Sequence, residues 1–86
     1  MLVIRRSANF DRKFRKLPLI LQTKTRKRAH VFARNPFEPT LKTHKLKGEL
    51  KDVWAFWVDR SYRVTFKFGE KGEVIFADIG THDEVY

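Results

Sequence analysis

Hydrophobic positions along this chain recur first at helical and then at strand spacing, and the change of period marks out its parts. Leu2 to Arg6 predicts a short opening strand, and Ser7 behind it suits the N-cap of a helix from Ala8 to Lys16. Phe10, Phe14 and Leu17 fall on one apolar stripe, while Arg12, Lys13, Arg15 and Lys16 cover the remainder. The helix is therefore predicted to lie on a sheet with a basic outer face. Pro18 fits the first turn of a second helix reaching Ala33, whose buried side carries Leu21, Ala29, Phe32 and Ala33 before Asn35-Pro36 ends it.

From Pro36 to Asp52 the pattern loosens into a basic loop that includes Lys42, His44, Lys45, Lys47 and Gly48. Strand spacing then takes over. Val53 to Val58, Tyr62 to Phe68 and Glu73 to Ile79 are rich in aromatic and β-branched residues, separated by turns at Asp59-Arg60-Ser61 and Gly69-Glu70-Lys71-Gly72. The order β-α-α-β-β-β predicts an α+β fold with two helices packed on a mainly antiparallel four-stranded sheet. In the middle strand Tyr62, Val64, Phe66 and Phe68 are expected to be buried, with Arg63, Thr65 and Lys67 on an opposite, open polar face where a site is first sought. No repeat, low-complexity tract or linker interrupts this plan.

Composition narrows the possible partners. With 86 residues the chain is expected to form one domain, and 42% hydrophobic residues, including eight Phe and two Trp, suffice for a small core. Lys and Arg number 19 against 10 Asp and Glu, a formal charge of +9, so an anionic partner is expected. A phosphate backbone is the commonest, an acidic protein or anionic membrane surface also fits, and a basic surface can simply maintain solubility. There is no cysteine, which excludes disulfides, zinc-thiolate sites and thiol nucleophiles. The start Met1-Leu2-Val3-Ile4-Arg5-Arg6 reverses the order of a secretory signal, and no run is long enough to span a membrane, so a soluble cytoplasmic protein is expected.

Several side chains bear candidate chemistry. Arg63, mid-strand with Thr65 and Lys67 on its face, suits a planar donor holding a phosphate, or equally a solvated arginine paired with Asp78 or Glu73. The tail Gly80-Thr81-His82-Asp83-Glu84-Val85-Tyr86 places His82 just past the last strand, where an imidazole oriented by Asp83 or Asp78 can exchange a proton with a ribose 2′-hydroxyl or a departing 5′-oxygen. As a surface or capping group it needs no such role. Tyr86 can stack on a base, lend a proton or pack on the core. His44, among Lys42, Lys45 and Lys47, forms a second basic group suited to proton transfer with charge stabilisation, or to contact with RNA backbone alone. His30 is read as structural or surface. The three histidines are dispersed and no acidic cluster has ligand spacing, so neither a metal nor another cofactor is expected.

Leu46-Lys47-Gly48 before a Trp-bearing strand, Tyr62-Arg63-Val64 in the next, and the closing Ile79-Gly80-Thr81-His82-Asp83-Glu84-Val85-Tyr86 together resemble the RelE/ParE toxin superfamily, nearest its YafQ-like ribonucleases. The likeness covers nearly the whole chain and rests on the order and spacing of the motifs. It implies a RelE-like fold and a ribosome-dependent, metal-independent endoribonuclease. Such an enzyme cuts messenger RNA in the ribosomal A site, beside ribosomal RNA, by 2′-hydroxyl attack, leaving a 2′,3′-cyclic phosphate and a 5′-hydroxyl. An acidic cognate antitoxin is implied as partner, with operator DNA reached only through it. By position, Arg63 matches the arginine at the scissile phosphate, His82 the carboxy-terminal catalytic histidine, Tyr86 the terminal aromatic and His44 the loop histidine. Lys42, Lys45, Lys47, Arg60 and Lys67 are expected to bind substrate. The chain departs from the YafQ-like pattern at Trp57, where relatives carry histidine, and at Ser61, where they carry an acid. Arg60, Lys45 or Lys47 are candidates for the missing proton-transfer part.

Two other functions fit the same chain. A ParE-like inhibitor of DNA gyrase would act by binding alone, and Trp57 in place of histidine also fits a degenerate, nontoxic relative that only binds antitoxin or nucleic acid.

Overall fold

The computed structural model describes residues 1–48 and 52–86. Their elements are β1 (Val3–Arg6), α1 (Ala8–Lys16), α2 (Leu19–Arg34), a 3-10 turn (Pro39–Leu41), β2 (His44–Lys45), β3 (Trp54–Trp57), β4 (Tyr62–Phe68), β5 (Glu73–Thr81) and α3 (His82–Val85). The α+β class stands, but the sheet has five strands rather than four, ordered β1-β5-β4-β3-β2. Only β1 and β5 run parallel. The added strand, β2, lies inside the expected loop Pro36–Asp52 and at two residues is too short to show an alternation. Residues 49–51 of that loop lie outside the described residues. The last strand continues two residues past Ile79, and the tail beyond it folds into a single helical turn.

Ser7 caps α1 as its position predicts, accepting the Phe10 amide at 3.0 Å while donating its hydroxyl to the Ala77 carbonyl at 2.8 Å. Asn9 donates to the same carbonyl at 3.1 Å. That carbonyl needs partners because Ala77 sits in a bulge: Thr65 pairs with Asp78 and Phe66 with Phe76, so β5 has one residue more than β4. The bulge shifts the phase of β5. Val74 and Phe76 before it and Ile79 after it all enter the core, although 76 and 79 differ in parity.

The core lies between the helices and one face of the sheet. Phe32 of α2 is fully buried, with its ring 4.8 Å from Phe56, 4.8 Å from Phe66 and 5.6 Å from Phe76. Leu41 from the 3-10 turn is also fully buried and joins this cluster. Arg28 of α2 ties the turn to the sheet, donating Nε to the Trp57 carbonyl at 3.2 Å and its terminal nitrogens to Thr40. The helical stripes are largely as predicted, with Phe10 buried and Phe14, Leu17, Leu21, Ala29 and Ala33 half-buried. Thr25 was not on the predicted stripe. It is buried because its hydroxyl returns to the Leu21 carbonyl at 2.7 Å and so brings no unmet donor into the core. Among the described residues no helix is long and apolar enough to cross a membrane.

Removing the aromatic pivot tests this packing. Phe32→Ala is expected to cost about 3–5 kcal/mol of unfolding free energy in urea titration, the range for deleting a large ring from a closed core.

Candidate active site

The sheet face away from the helices is not the open surface that the alternation of β4 suggests. Arg63 is 6% exposed and Thr65 4%, while Lys67 alone of the three is exposed. The alternation assigns these residues correctly to the non-helical face, but other parts of the chain cover it. Trp57 pairs directly with Arg63 across β3 and β4, and the guanidinium carbon lies 4.1 Å from the centre of the indole. Nη1 donates to the carbonyls of Asp59 at 2.8 Å, Arg60 at 2.9 Å and Tyr62 at 3.2 Å. Nε is buried with no partner among the described residues. Neither Asp78 nor Glu73 neutralises the charge: Asp78 is 2.8 Å from Lys13 and Glu73 is 3.1 Å from Arg5.

The chain's last residues close over this guanidinium. Gly80, opposite Arg63, leaves room for α3: a Cβ built there would lie 3.1 Å from Glu84 Cβ and 3.2 Å from Val85 Cγ1. Thr81 and Glu84 form a capping box in which the Glu84 carboxylate accepts the Thr81 amide at 2.8 Å. That backbone bond, aided by the Thr81 side chain, holds the Glu84 carboxyl below its ordinary 4.5. The turn brings Tyr86 between two histidines. Its ring centre is 4.3 Å from that of His82, and its hydroxyl is 3.2 Å from His44 Nε2. Burial raises the ionisation of Tyr86 above 10.0, and the Arg63 guanidinium beside it acts in the opposite direction.

The hydrogen bonds of His44 define its proton. Nδ1 is 2.9 Å from the Lys42 carbonyl, which can only accept, so Nδ1 carries the hydrogen. Nε2 of the neutral ring is then a bare acceptor, and Tyr86 donates to it. Lys42 itself takes the left-handed conformation, φ 50° and ψ 39°, as the 3-10 turn gives way to β2, and its ammonium lies 5.3 Å from the Trp57 ring.

Arg63, Tyr86, His44 and His82 therefore gather at one place, with Lys42 at its margin. The other expected binders do not join them in the same way. Lys45 follows His44 in β2 and so points to the other face, where it lies 3.7 Å from Asp52. Lys47 is in the exposed loop beyond, and Lys67 is four residues, about 13 Å, along β4 from Arg63. Arg60 is at the exposed hairpin tip and contributes its carbonyl to Arg63. Of the two acids considered for His82, Asp83 is 3.5 Å from Nδ1, whereas Asp78 is held by Lys13. His30 is exposed on α2. Two contributors were missed in the sequence. In the sequence Trp57 stands out only as a departure from the YafQ-like pattern, and Gly80 only as an exit from the strand. No group of three His, Asp or Glu among the described residues is arranged to hold a metal ion.

No family model and no curated protein matches the chain. Its fold, however, is found among solved toxins. YafQ from E. coli strain BL21(DE3) aligns with a TM-score of 0.78 at 21% identity, covering 100% of this chain and 99% of its own. A copper-bound mutant toxin from Helicobacter pylori aligns at 0.78 and 21% identity over 100% of both chains. The heterotetrameric YoeB-YefM toxin-antitoxin complex from Staphylococcus aureus contains a chain that aligns at 0.75 and 17% identity, over 95% of this chain and 98% of that one. The chain has the RelE-like toxin fold.

Two perturbations test the closure of the tail. Because the Glu84 carboxyl is depressed in the folded turn, its contribution is complete above the ordinary value of 4.5 and is lost as pH falls through the lower, folded value. Chemical shifts of residues 82–86 should lose helical character on acidification before the β4 and β5 shifts change. Gly80→Ala should break the His44–Tyr86 contact in nuclear Overhauser spectra at a cost of about 1 kcal/mol of global stability.

Proposed function

We propose that this chain, sharing the fold of YafQ and YoeB, is the toxin of a toxin-antitoxin pair and a metal-independent endoribonuclease that cuts messenger RNA in the ribosomal A site. The observation that carries this reading is the His44 ring, whose Nε2 faces the hydroxyl of Tyr86, the residue that also lies beside the buried Arg63 guanidinium. Cleavage by 2′-hydroxyl attack requires a base for that hydroxyl, an acid for the departing 5′-oxygen and positive charge for the phosphorane between them. The residues supply all three. In the free protein the Tyr86 hydroxyl occupies the position that a ribose 2′-hydroxyl would take as donor to His44.

His44 removes the 2′ proton while its Nδ1–H stays on the Lys42 carbonyl, which holds the ring in orientation as charge develops. His82, exposed and beside the Asp83 carboxylate, returns a proton to the 5′-oxygen as the P–O bond breaks. The products are a 2′,3′-cyclic phosphate and a 5′-hydroxyl, and no water or metal enters the step. Arg63 is a fixed positive field that RNA can approach once Tyr86 gives way. An acidic, amphipathic antitoxin segment matches the +9 charge of the chain.

The test is a cleavage map on ribosomes programmed with a defined message. The chain should cut in the A-site codon and leave cyclic phosphate ends, and a 2′-deoxy nucleotide at the cut should block the reaction. His44→Gln and His82→Gln should each slow cleavage by about 10²–10⁴-fold while leaving antitoxin binding unchanged. Intact messenger RNA during growth arrest, accompanied by a DNA-damage response, would overturn the nuclease reading in favour of gyrase inhibition.

A further inference from the structure

A buried arginine normally sits opposite a carboxylate, because a guanidinium leaving water loses more solvation than neutral partners readily restore. Arg63 has no such partner among the described residues. Its surroundings are three backbone carbonyls on Nη1, an unpartnered Nε and the face of Trp57 at 4.1 Å. An indole attracts a cation through its quadrupole yet brings no charge of its own. A carboxylate in the same place would hold Arg63 more tightly and cancel its field.

The same ring has a second cation. Lys42 Nζ is 5.3 Å from the centre of Trp57, and Lys42 belongs to the segment whose Thr40 is bound by Arg28. Arg28 also binds the Trp57 carbonyl, so one guanidinium fixes both the indole backbone and the turn that brings Lys42. The ladder supplies the third constraint, since Trp57 and Arg63 are direct cross-strand partners. Two like charges thus flank one neutral ring, Arg63 from the β4 side and Lys42 from the segment leading into β2, with no carboxylate seated between them among the described residues.

We infer that Trp57 is a positioning residue: its indole holds Arg63 on one side and Lys42 on the other, without a neutralising carboxylate, as a two-cation seat for a phosphodiester group across the ring. This rests on the nuclease reading for the identity of the anion, but the seat itself can be measured without cleavage. Trp57 acts through the two cations and takes no proton.

Inorganic phosphate is the probe, followed by the side-chain N–H resonance of Trp57, with circular dichroism to establish that each variant is folded. Trp57→Gln should weaken phosphate binding about tenfold, Lys42→Gln by a similar factor, and Trp57→Phe by less than about threefold, in proportion to the cation attraction each side chain retains. For variants without the indole the reporter is the Arg63 Nε–H resonance. In a Tyr62→Phe background the Tyr86 phenol gives an independent readout. Arg63→Gln removes the charge that opposes burial and should move its ionisation to higher pH. Trp57→Gln should move it in the same direction, and Trp57→Phe should leave it near the parent.

Equal phosphate affinity in the parent, Trp57→Gln and Lys42→Gln would overturn the inference. So would a Trp57→Gln protein whose Tyr86 titrates with the parent while that of Arg63→Gln is displaced. Should Trp57→Gln not fold, Lys42→Gln, changed at an exposed site, and Trp57→Phe carry the decision. Weakened phosphate binding in a chain that leaves RNA intact would uphold the seat and sink the nuclease reading alone.

Discussion

Arg63 lies in the middle of the sheet with a guanidinium withdrawn from water, and the non-helical face of the protein is organised around that cost. Three carbonyls at the β3–β4 hairpin, the indole of Trp57 and the closing tail each offset part of it. None neutralises the charge. Electrostatic attraction to an anion falls with distance and with dielectric, so a cation kept dry, and without a carboxylate among the described residues, acts more strongly than the exposed lysines and arginines that supply most of the positive charge. The aromatic core on the other face makes this possible, because Phe32, Phe56, Phe66 and Phe76 provide the rigid support on which a polar face can carry strain.

The exposed ion pairs illustrate the contrast. Arg5–Glu73, Arg6–Asp11 and Lys45–Asp52 lie at the surface, where solvent screening and side-chain entropy leave each worth about 1 kcal/mol or less. They temper the basic surface without determining where it acts. The contacts of His44 are of another kind, neutral and directional: a backbone carbonyl on one nitrogen and a phenol on the other.

Much of this plan could be read from the sequence. Ser7 before α1 and Pro18 after it delimit the first helix, and the alternation of Tyr62 to Phe68 gives β4 its bounds, because both elements are long enough to display a period and end at residues with clear local preferences. Position and chemistry nominate Arg63, His44, His82 and Tyr86 as candidates, the superfamily likeness implies a role for each, and the four meet in the fold. What escaped was governed by neighbours distant in the chain. Alternation separates Arg63 from Val64 but cannot reveal that the final residues fold back over Arg63, since that depends on the space left by Gly80. The contact between His44 and Tyr86 spans 42 positions and leaves no local pattern. Lys45 groups with His44 if the segment is a loop, in which adjacent residues can serve one site, but in the strand β2 the two face apart.

The bulge at Ala77 divides β5 into two segments that obey different reading frames. Upstream, even-numbered positions answer to the aromatic core; downstream, the odd-numbered Ile79 does, and the even ones, paired with Thr65 and Arg63, belong to the face of the candidate site. The captured carbonyl of Ala77 is the hinge pin of that arrangement, anchored from α1 by Ser7 and Asn9. Variation in either half can therefore proceed without rotating the other, so the strand lets packing and chemistry drift separately. A gain or loss of one residue at that position is the small change that would set them against each other.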